Sequence, residues 1–292
     1  MVRLNMKLVL DYVVADPACD FIFNIEAART QSQLVSLEKL EISQFLSRRA
    51  DTDPLVYNRY IRLKAKRGPL RVSYQATIDI THHLERPELI AELPVAELPG
   101  QVLAFLYPSR YCQSDQLLAL ASREFGHLPR GYVRVQAIMA WVQKHVEFKS
   151  NTSNSNTSAL DTLAQGTGVC RDFAHLMIAL CRAVNIPARF TTGMDYGASP
   201  ELGPQDFHAY VEVYLSGRWY IFDPSGTAMP MGFVRIGTGR DAADVAFATI
   251  FGSVTSEAPV ISIDTVVDTF YQRMAPRHCS EGISTDSEFV RW

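Results

Sequence analysis

The sequence lacks a long apolar run and an excess of positive charge, and each absence excludes a class of protein. No stretch of about 18 consecutive apolar residues occurs, so a membrane-spanning helix is not predicted. The 28 Lys and Arg are balanced by 31 Asp and Glu, and the net charge of −3 argues against a nucleic-acid partner. With 47% hydrophobic and 20% charged residues over 292 positions, the composition is that of a folded chain long enough for two domains.

Cysteine is also scarce, and no two cysteines form a CxxC pair. The five are Cys19, Cys112, Cys170, Cys181 and Cys279. An odd number cannot pair completely within one chain, so we expect a free thiol and no disulfide framework. No cluster of His, Cys and carboxylates has metal-ligand spacing, so neither a metal nor another cofactor is expected. Free thiols, and an N-terminal apolar run that Asp11 interrupts, predict a cytoplasmic location.

Hydrophobic periodicity divides the chain into a β-rich module, residues 1–110, and an α+β domain, residues 111–292. In the module we predict strands at 6–14 and 21–25 and a hairpin of 60–66 with 70–80, turning at Arg-Gly-Pro. Several short strands with little helix predict a sandwich-like fold. In the second part, helices are predicted first and antiparallel strands afterwards, an order typical of α+β domains.

The elements of the second part follow from the same periodicities. The predicted helices are 114–125, 134–147, 159–164 and 170–184, and the predicted strands are 189–193, 207–215, 219–222 and 259–271. The run NTSNSNTS at 151–158 has no apolar residue to bury and is predicted to be a loop.

Cys170 is the cysteine whose surroundings predict chemistry. It follows the glycine-containing segment GTGV at 166–169, where a loop gives way to a predicted helix. A thiol at a helix N-terminus faces unpaired N–H groups and the positive end of the helix dipole, and both favour the thiolate. Its position alone leaves the role open, because Cys181 and other apolar residues continue the same helix face as a core stripe. Cys170 therefore fits either a nucleophile or a small buried residue.

His208 and Asp223 are candidates for the base and the orienting group that a nucleophilic thiol needs. If Ser216-Gly217 is a two-residue hairpin turn, Tyr210 pairs with Asp223 across the two strands. His208 then shares a face with Asp223 as its diagonal neighbour, within reach of a side-chain hydrogen bond. A slip of one residue would place the two on opposite faces. Each could otherwise be ordinary, His208 as a surface or satisfied strand residue and Asp223 as a turn residue before proline.

Two segments around these residues resemble the transglutaminase-like superfamily, in its bacterial branch of cysteine proteases. They are TGVCRDFAHLMIALCRAVNIPARFTTG and DFHAYVEVYLSGRWYIFDPSG. The β-rich beginning is similar to the N-terminal sandwich of that branch. The resemblance implies a papain-like site in a cleft between helix and sheet, with Cys170 as nucleophile, His208 as base and Asp223 as orienting carboxylate.

The sequence departs from that family at one position. Related transglutaminases place a Trp shortly before the short helix that precedes the nucleophile, where it helps to bind the oxyanion. The matching place here is near Asn156, inside the polar loop. An Asn amide could donate the same hydrogen bond, so Asn156 is a candidate oxyanion residue.

These residues predict acyl transfer through a Cys thioester, acting on a peptide, a protein or another amide, with hydrolysis as the default outcome. Transfer to an amine, as in a transglutaminase, is an alternative. A binding or scaffolding protein with an inactive site is a second alternative, and a metal-bound Cys-His-Asp centre is a third. The loop 195–205, rich in Gly and Pro, is predicted to form the rim of the cleft because it precedes the His208 strand.

Overall fold

A computed structural model of the protein describes residues 1–197 and 206–286. The fold is α+β, as the sequence predicts, with 22% helix and 41% strand. The helices are α1 (Leu118–Phe125), α2 (Tyr132–His145), α3 (Ala159–Gln165) and α4 (Cys170–Ala183). The strands up to α4 are β1 (Val2–Phe23), β2 (Gln33–Ile42), β3 (Arg48–Thr52), β4 (Arg59–Ile80), β5 (His83–Glu85), β6 (Glu147–Phe148) and β7 (Thr167–Gly168). Those after it are β8 (Ala188–Asp195), β9 (Phe207–Leu215), β10 (Arg218–Phe222), β11 (Phe233–Gly239), β12 (Ala248–Phe251), β13 (Val254–Ser256), β14 (Val260–Thr265) and β15 (Gly282–Ser284).

The N-terminal module is built on two strands of 22 residues each, β1 and β4, which pair antiparallel along nearly their whole length. Strands β2 and β3 pair with β4, and strands β12, β13 and β14 pair with β1. On either side of residues 15–18 in β1 and 66–69 in β4, alternate residues are mostly buried, which is the pattern of a sheet with one face on a core. The predicted β-rich module is therefore present.

The sheet folds over on itself at a bulge in β1 between Val14 and Ala18. The ring of Tyr12 lies 5.4 Å from that of Phe21 and 6.0 Å from that of Phe23. A straight strand would separate residues 12 and 23 by about 36 Å, so the two halves of β1 face each other. One apolar core between these halves gives the module its sandwich-like character.

The predicted hairpin at 60–80 is wrong, because β4 runs through the Arg-Gly-Pro segment as one strand. Gly68 has φ +112° and pairs with Val14 at the edge of the β1 bulge. Its left-handed backbone bends the strand there without ending it, since glycine adopts this conformation at little cost. Likewise, the strands predicted at 6–14 and 21–25 are the two halves of β1.

The second part of the chain places α4 in the middle of its own core. All residues of α4 from Asp172 to Ala183 are buried, and the helix packs on β8 and β9 and against the other three helices. The sheet is antiparallel in the order β10-β9-β8-β11. The helices lie within a few residues of their predicted bounds, except that 114–117 is a 3-10 turn preceding α1. Strand β11 was not predicted. The strand predicted at 259–271 is shorter in the structure, where β14 covers Val260–Thr265.

A buried ionic cluster on this sheet includes the carboxylate of Glu212. The Nε atom of Arg189 lies 2.7 Å from Glu212 Oε2, and Arg235 donates to the other carboxylate oxygen. Asp286, near the end of the described chain, accepts from Arg189 at 2.8 Å. The cluster therefore ties β8, β9 and β11 to the segment that follows β15.

Strands β12, β13 and β14 come after β11 in the sequence, yet they pair with β1 of the N-terminal sheet. They lie beyond the boundary at residue 110, and the division at that residue stays a prediction. In residues 1–197 and 206–286, no helix has the length and apolar character needed to cross a membrane.

Candidate active site

Cys170 is the first residue of α4, and two glycines shape the approach to it. Gly166 ends α3 with φ +67°, a left-handed conformation that reverses the chain. A Cβ atom on Gly168 would lie 2.7 Å from the Cβ of Asp172, so only glycine lets the chain pass close to the first turn of α4. The Cys170 side chain is partly exposed, whereas the helix residues from 172 onwards are buried. The thiol therefore sits at the open end of an otherwise buried helix.

His208 and Asp223 lie on the sheet in the register that the sequence predicts. Arg218 pairs with Leu215 and Phe222 with Val211, so the alignment extends to Tyr210 opposite Asp223. The Nε2 atom of His208 lies 3.2 Å from the Oδ1 atom of Asp223. Both side chains are buried, at 7% and 4% exposure. The predicted diagonal contact is confirmed.

The structure brings Cys170 to the same histidine. The thiol lies close enough to the His208 imidazole to contribute to the raised pKa of His208. Because Nε2 is engaged by Asp223, the Nδ1 nitrogen is the one left for the thiol. The three predicted residues therefore form one continuous line of contacts, from the carboxylate through the imidazole to the thiol.

Asp223 is held in place by the turn that follows it. Its Oδ1 atom accepts from the Ser225 hydroxyl at 2.6 Å and from the Ser225 N–H at 3.1 Å. Its Oδ2 atom accepts from the Ala228 N–H at 3.0 Å. Three donors besides His208 thus fix the carboxylate, and this arrangement aims it at the imidazole.

Charge and hydrogen bonding together favour the ionised forms of the pair. Burial alone would lower the pKa of His208, but the charge and hydrogen bond of Asp223, with a contribution from Cys170, hold this pKa well above its usual value. Burial alone would raise the pKa of Asp223, but His208, Ser225 and Ala228 lower it below its usual value. An imidazolium beside a carboxylate is therefore the stable state, which suits an acid that gives a proton to a leaving group.

Two residues near His208 were missed by the sequence reasoning. The ring of Phe233 stacks on the imidazole with centroids 5.2 Å apart, and it lies on the unpredicted strand β11. Asp195 pairs with Phe233 and follows Gly193, which lies opposite His208, so it occupies the face of the sheet that carries the histidine. Correct assignment of β11 would have found both of them.

Asp195 is a second buried carboxyl beside the histidine, with 4% exposure. Its Oδ2 atom has no hydrogen-bond partner among the described residues. Burial raises the pKa of Asp195, the charge of Asp223 adds to this rise, and His208 opposes it. The predicted rim loop 195–205 begins at this residue, and its positions 198–205 lie outside the described residues.

Asn156, the predicted oxyanion residue, is exposed in the polar loop. Its backbone N–H donates to the side-chain oxygen of Asn154 at 2.8 Å. Exposure leaves its amide accessible to a substrate, and its role at the oxyanion stays a prediction.

The other thiols have surroundings that differ from those of Cys170. Cys112 and Cys181 are completely buried, and burial raises the pKa of Cys112 to about 12 and that of Cys181 further. Burial also raises the pKa of Cys19 and of Cys279. Within the described parts of the chain, no group of three or more His, Cys, Asp or Glu could hold a metal ion.

Each half of the chain matches a known protein-family model. Residues 120–224 match the family model of the transglutaminase-like superfamily. Residues 2–101 match the model described as the bacterial transglutaminase N-terminal domain. The two matches include most of the N-terminal module and all three residues of the contact line.

A solved structure resembles the chain over nearly its full length. It is a crystal structure described as a "putative cysteine protease" from Cytophaga hutchinsonii, with 38% sequence identity and a TM-score of 0.88. The match covers 97% of this chain and 97% of that one.

Mycobacterial proteins are similar over shorter regions. An uncharacterized protein of Mycobacterium leprae is 28% identical over 148 residues, which are 48% of this chain and 52% of the relative. An uncharacterized protein of Mycobacterium tuberculosis is 29% identical over 134 residues, which are 42% of this chain and 43% of the relative. The chain thus spans about half the length of the curated relatives it matches.

Proposed function

The chain belongs to the transglutaminase-like superfamily, and from this premise we propose that it is an enzyme of thiol-dependent acyl transfer on amide bonds, with hydrolysis as its main reaction. The observation that carries the proposal is the line of contacts from Asp223 through His208 to Cys170, at the open N-terminus of a buried helix. A nucleophile, a base and a group that orients the base are the parts this chemistry needs. Peptides, proteins or other amides are the proposed substrates.

The reaction begins when the Cys170 thiolate attacks the amide carbonyl carbon and the carbonyl oxygen becomes an oxyanion. The Cys170 N–H, the first of α4, has no intrahelical acceptor and is free to donate to that oxyanion. The His208 imidazolium then gives its proton to the amine nitrogen, the C–N bond breaks, and a thioester remains on Cys170. Asp223 keeps the imidazole oriented throughout and stabilises its charged form.

The thioester is then released by a second nucleophile, and the nature of this nucleophile decides the outcome. His208 takes a proton from water, the resulting hydroxide attacks the carbonyl, and a carboxylic acid leaves as the thiolate reforms. An amine in place of water gives a new amide and thus transamidation. Water is present at very high concentration, and for this reason hydrolysis is the proposed default. The five free thiols favour the reducing cytoplasm as the proposed location.

The proposal is tested with a library of short fluorogenic peptide amides, with and without a dansylated alkylamine as acceptor. Hydrolysis predicts release of the free acid, and transamidation predicts a fluorescent amide product at the expense of the acid. Cys170→Ser is the matched control, since it keeps the size and removes the thiol. Turnover that survives this substitution would refute the mechanism. Absence of turnover and of any acyl-enzyme, with all probes, would favour a binding protein with an inactive site.

A further inference from the structure

His208 lies between two carboxyl groups, one from each side of its strand. Strands β10 and β8 pair with β9 along its two edges. Asp223 follows β10 and bonds to the imidazole. Asp195 is the last residue of β8 and comes two positions after Gly193, which pairs with His208. Because residues two apart share a face of a strand, Asp195 is the diagonal neighbour of His208 on the edge opposite Asp223.

Gly193 leaves the face of β8 next to Asp195 without a side chain, and aromatic rings fill this space. A Cβ atom on Gly193 would lie 3.2 Å from Cε1 of Tyr210. Phe233, which pairs with Asp195 on β11, stacks on the His208 ring with centroids 5.2 Å apart. Strands β9 and β11 are two apart in the sheet, which is about 10 Å. The imidazole therefore leans over β8, the strand that ends in Asp195.

The Asp195 carboxyl is buried without the partners that a structural carboxylate needs. Its exposure is 4%, and its Oδ2 atom has no hydrogen-bond partner within residues 1–197 and 206–286. Asp223, in contrast, accepts from the imidazole, from Ser225 and from the Ala228 N–H. Burial and the charge of Asp223 raise the pKa of Asp195, and the charge of His208 is the largest opposing influence. The imidazolium is thus the main group that stabilises this carboxylate.

The stabilisation is mutual, because a cation that favours an anion is favoured by it to the same extent. The backbones of diagonal neighbours are about 7–8 Å apart. At the effective dielectric constant of a protein, two unit charges at this separation change a protonation equilibrium roughly 10- to 100-fold. No hydrogen bond is required, so Asp195 can act on the charge of His208 while Asp223 fixes the orientation of the ring.

The other titratable groups around the imidazole come from α4, β9 and β11. Cys170 reaches it from α4. Burial raises the pKa of Tyr210 on β9, so this phenol stays neutral. Arg235 on β11 is paired with Glu212, and their charges largely offset each other. Asp195 and Asp223 are therefore the two carboxyls that act on the charge of His208.

We propose that Asp195 is a second positioning residue, which acts through the charge of His208 and makes the imidazole a stronger base in the release of the thioester. This inference rests on the proposed acyl-transfer function. In that step a water O–H bond breaks, the proton forms an N–H bond on neutral His208, and the hydroxide adds to the thioester carbonyl. The C–S bond then breaks, and a carboxylic acid and the Cys170 thiolate are formed. The Asp195 carboxylate stabilises the positive charge that develops on the ring, at a stage when Cys170 is acylated and carries no charge.

Hydrolysis of p-nitrophenyl acetate isolates the release step. Nitrophenolate needs no proton to leave, so a burst reports acylation, and the steady rate that follows reports thioester hydrolysis. Asp195→Asn keeps the shape of the side chain and removes its charge. Asp206→Asn is the matched control, since Asp206 is exposed beside the start of β9 and accepts from the Phe207 N–H. Water screens the charge of Asp206, although it lies two residues from His208.

We expect Asp195→Asn to change the pH profile of steady hydrolysis in two linked ways. The rate rises with pH as His208 loses its proton, and the midpoint should move to lower pH because the imidazolium is less stable. The plateau at high pH should fall about three- to tenfold, since a half-transferred proton feels about half of the charge effect. The burst rate at high pH should stay within about twofold of wild type, and Asp206→Asn should match wild type throughout.

A structural role for Asp195 predicts a different result. The raised pKa of Asp195 means that its ionisation opposes folding at pH 7, so Asp195→Asn should leave the midpoint of urea unfolding unchanged or raise it. A variant that fails to fold or loses stability would assign a structural role and overturn the proposal. An unchanged midpoint and plateau of the pH profile would overturn it as well.

Failure of the proposed function gives a separate result. A wild-type protein without a burst above the Cys170→Ser background would refute acyl transfer itself. The NMR titration of His208, with its signal assigned through His208→Gln, needs no turnover. Its midpoint should move to lower pH in Asp195→Asn, and an unmoved midpoint would refute the action of Asp195 on His208 whether or not the protein is an enzyme.

Discussion

Replacement of Asp223 by asparagine tests how much the carboxylate contributes to keeping His208 protonated beside Cys170. The variant keeps the size of the side chain and removes its charge. A hydrogen bond to a charged group contributes about 1.5–3 kcal/mol, and each 1.4 kcal/mol is a factor of ten. In the proposed mechanism the reactive form pairs a Cys170 thiolate with this imidazolium. Loss of the stabilisation should make that form about 10- to 100-fold scarcer at pH 6. The rate at which iodoacetamide alkylates Cys170 at that pH should fall by the same factor.

The change also has a cost in stability that the structure lets us separate from the effect on reactivity. Asp223 accepts from three donors besides His208, and an asparagine amide has one acceptor atom instead of two. One buried donor is left without an acceptor, which costs about 1–3 kcal/mol of the free energy of unfolding. Urea unfolding measures this loss, and a domain of ordinary stability remains folded.

The assay is the second-order rate of Cys170 alkylation from pH 5 to 9, followed by mass spectrometry of the Cys170 peptide. Cys112 and Cys181 are internal controls, since both are buried and should stay unlabelled while the protein is folded. Ser225→Ala is the matched variant, because it removes a 2.6 Å hydrogen bond to Asp223 and keeps the charge beside His208. A wild-type alkylation rate at pH 6 in Asp223→Asn would refute the reasoning.

Three further predictions concern the glycine before the nucleophile, the buried ionic cluster and the pH profile. Gly168→Ala should lower the free energy of unfolding, measured with urea, by about 1–3 kcal/mol and should slow Cys170 alkylation, because the added Cβ would overlap Asp172. An unchanged free energy of unfolding and an unchanged alkylation rate would contradict this close approach. Glu212→Gln should lower the free energy of unfolding by about 3–5 kcal/mol, since it leaves Asp286 as the one carboxylate paired with the two buried arginines of the cluster, whereas Asp11→Asn in an exposed ion pair should leave it nearly unchanged. Amide turnover should persist through pH 7 and fall only as the pH rises through the raised pKa of His208, and a decline centred at or below about 6.5 in the pH–rate profile would oppose this.

The sequence predicts the contact between His208 and Asp223 because a two-residue turn fixes strand register. Once Ser216-Gly217 is assigned as the turn, the pairing of β9 with β10 follows by counting, and the observed pairs agree with it. The helix that begins at Cys170 is predicted equally well, because glycines precede it and a long apolar pattern follows. Both predictions, the strand register and the start of the helix, depend only on residues that are close together in the sequence.

Other features depend on contacts between distant parts of the chain and were missed. The Arg-Gly-Pro segment has the composition of a turn, and only its pairing with Val14 makes it a bend within β4. Asp195 and Phe233 lie beside His208 because β11 pairs with β8, and the glycine-rich end of β11 gave no strand signal. The hydrogen bonds from Arg171 and Asp172 to the polar loop join residues that are 17 to 19 positions apart, and they produce no periodic pattern in the sequence.

The pairing of β14 with β1 has a consequence for the order in which the protein forms during synthesis. Leu4 pairs with Thr265, so the first strand of the chain acquires this neighbour only after some 260 further residues have been made. Until then, the edge of β1 that faces β14 presents unpaired N–H and C=O groups, which can template pairing with another chain. Contacts between such distant residues also slow folding. The edge of β1 therefore needs protection while the chain is being synthesised. A chain truncated before β14 is expected to aggregate through the same unpaired edge.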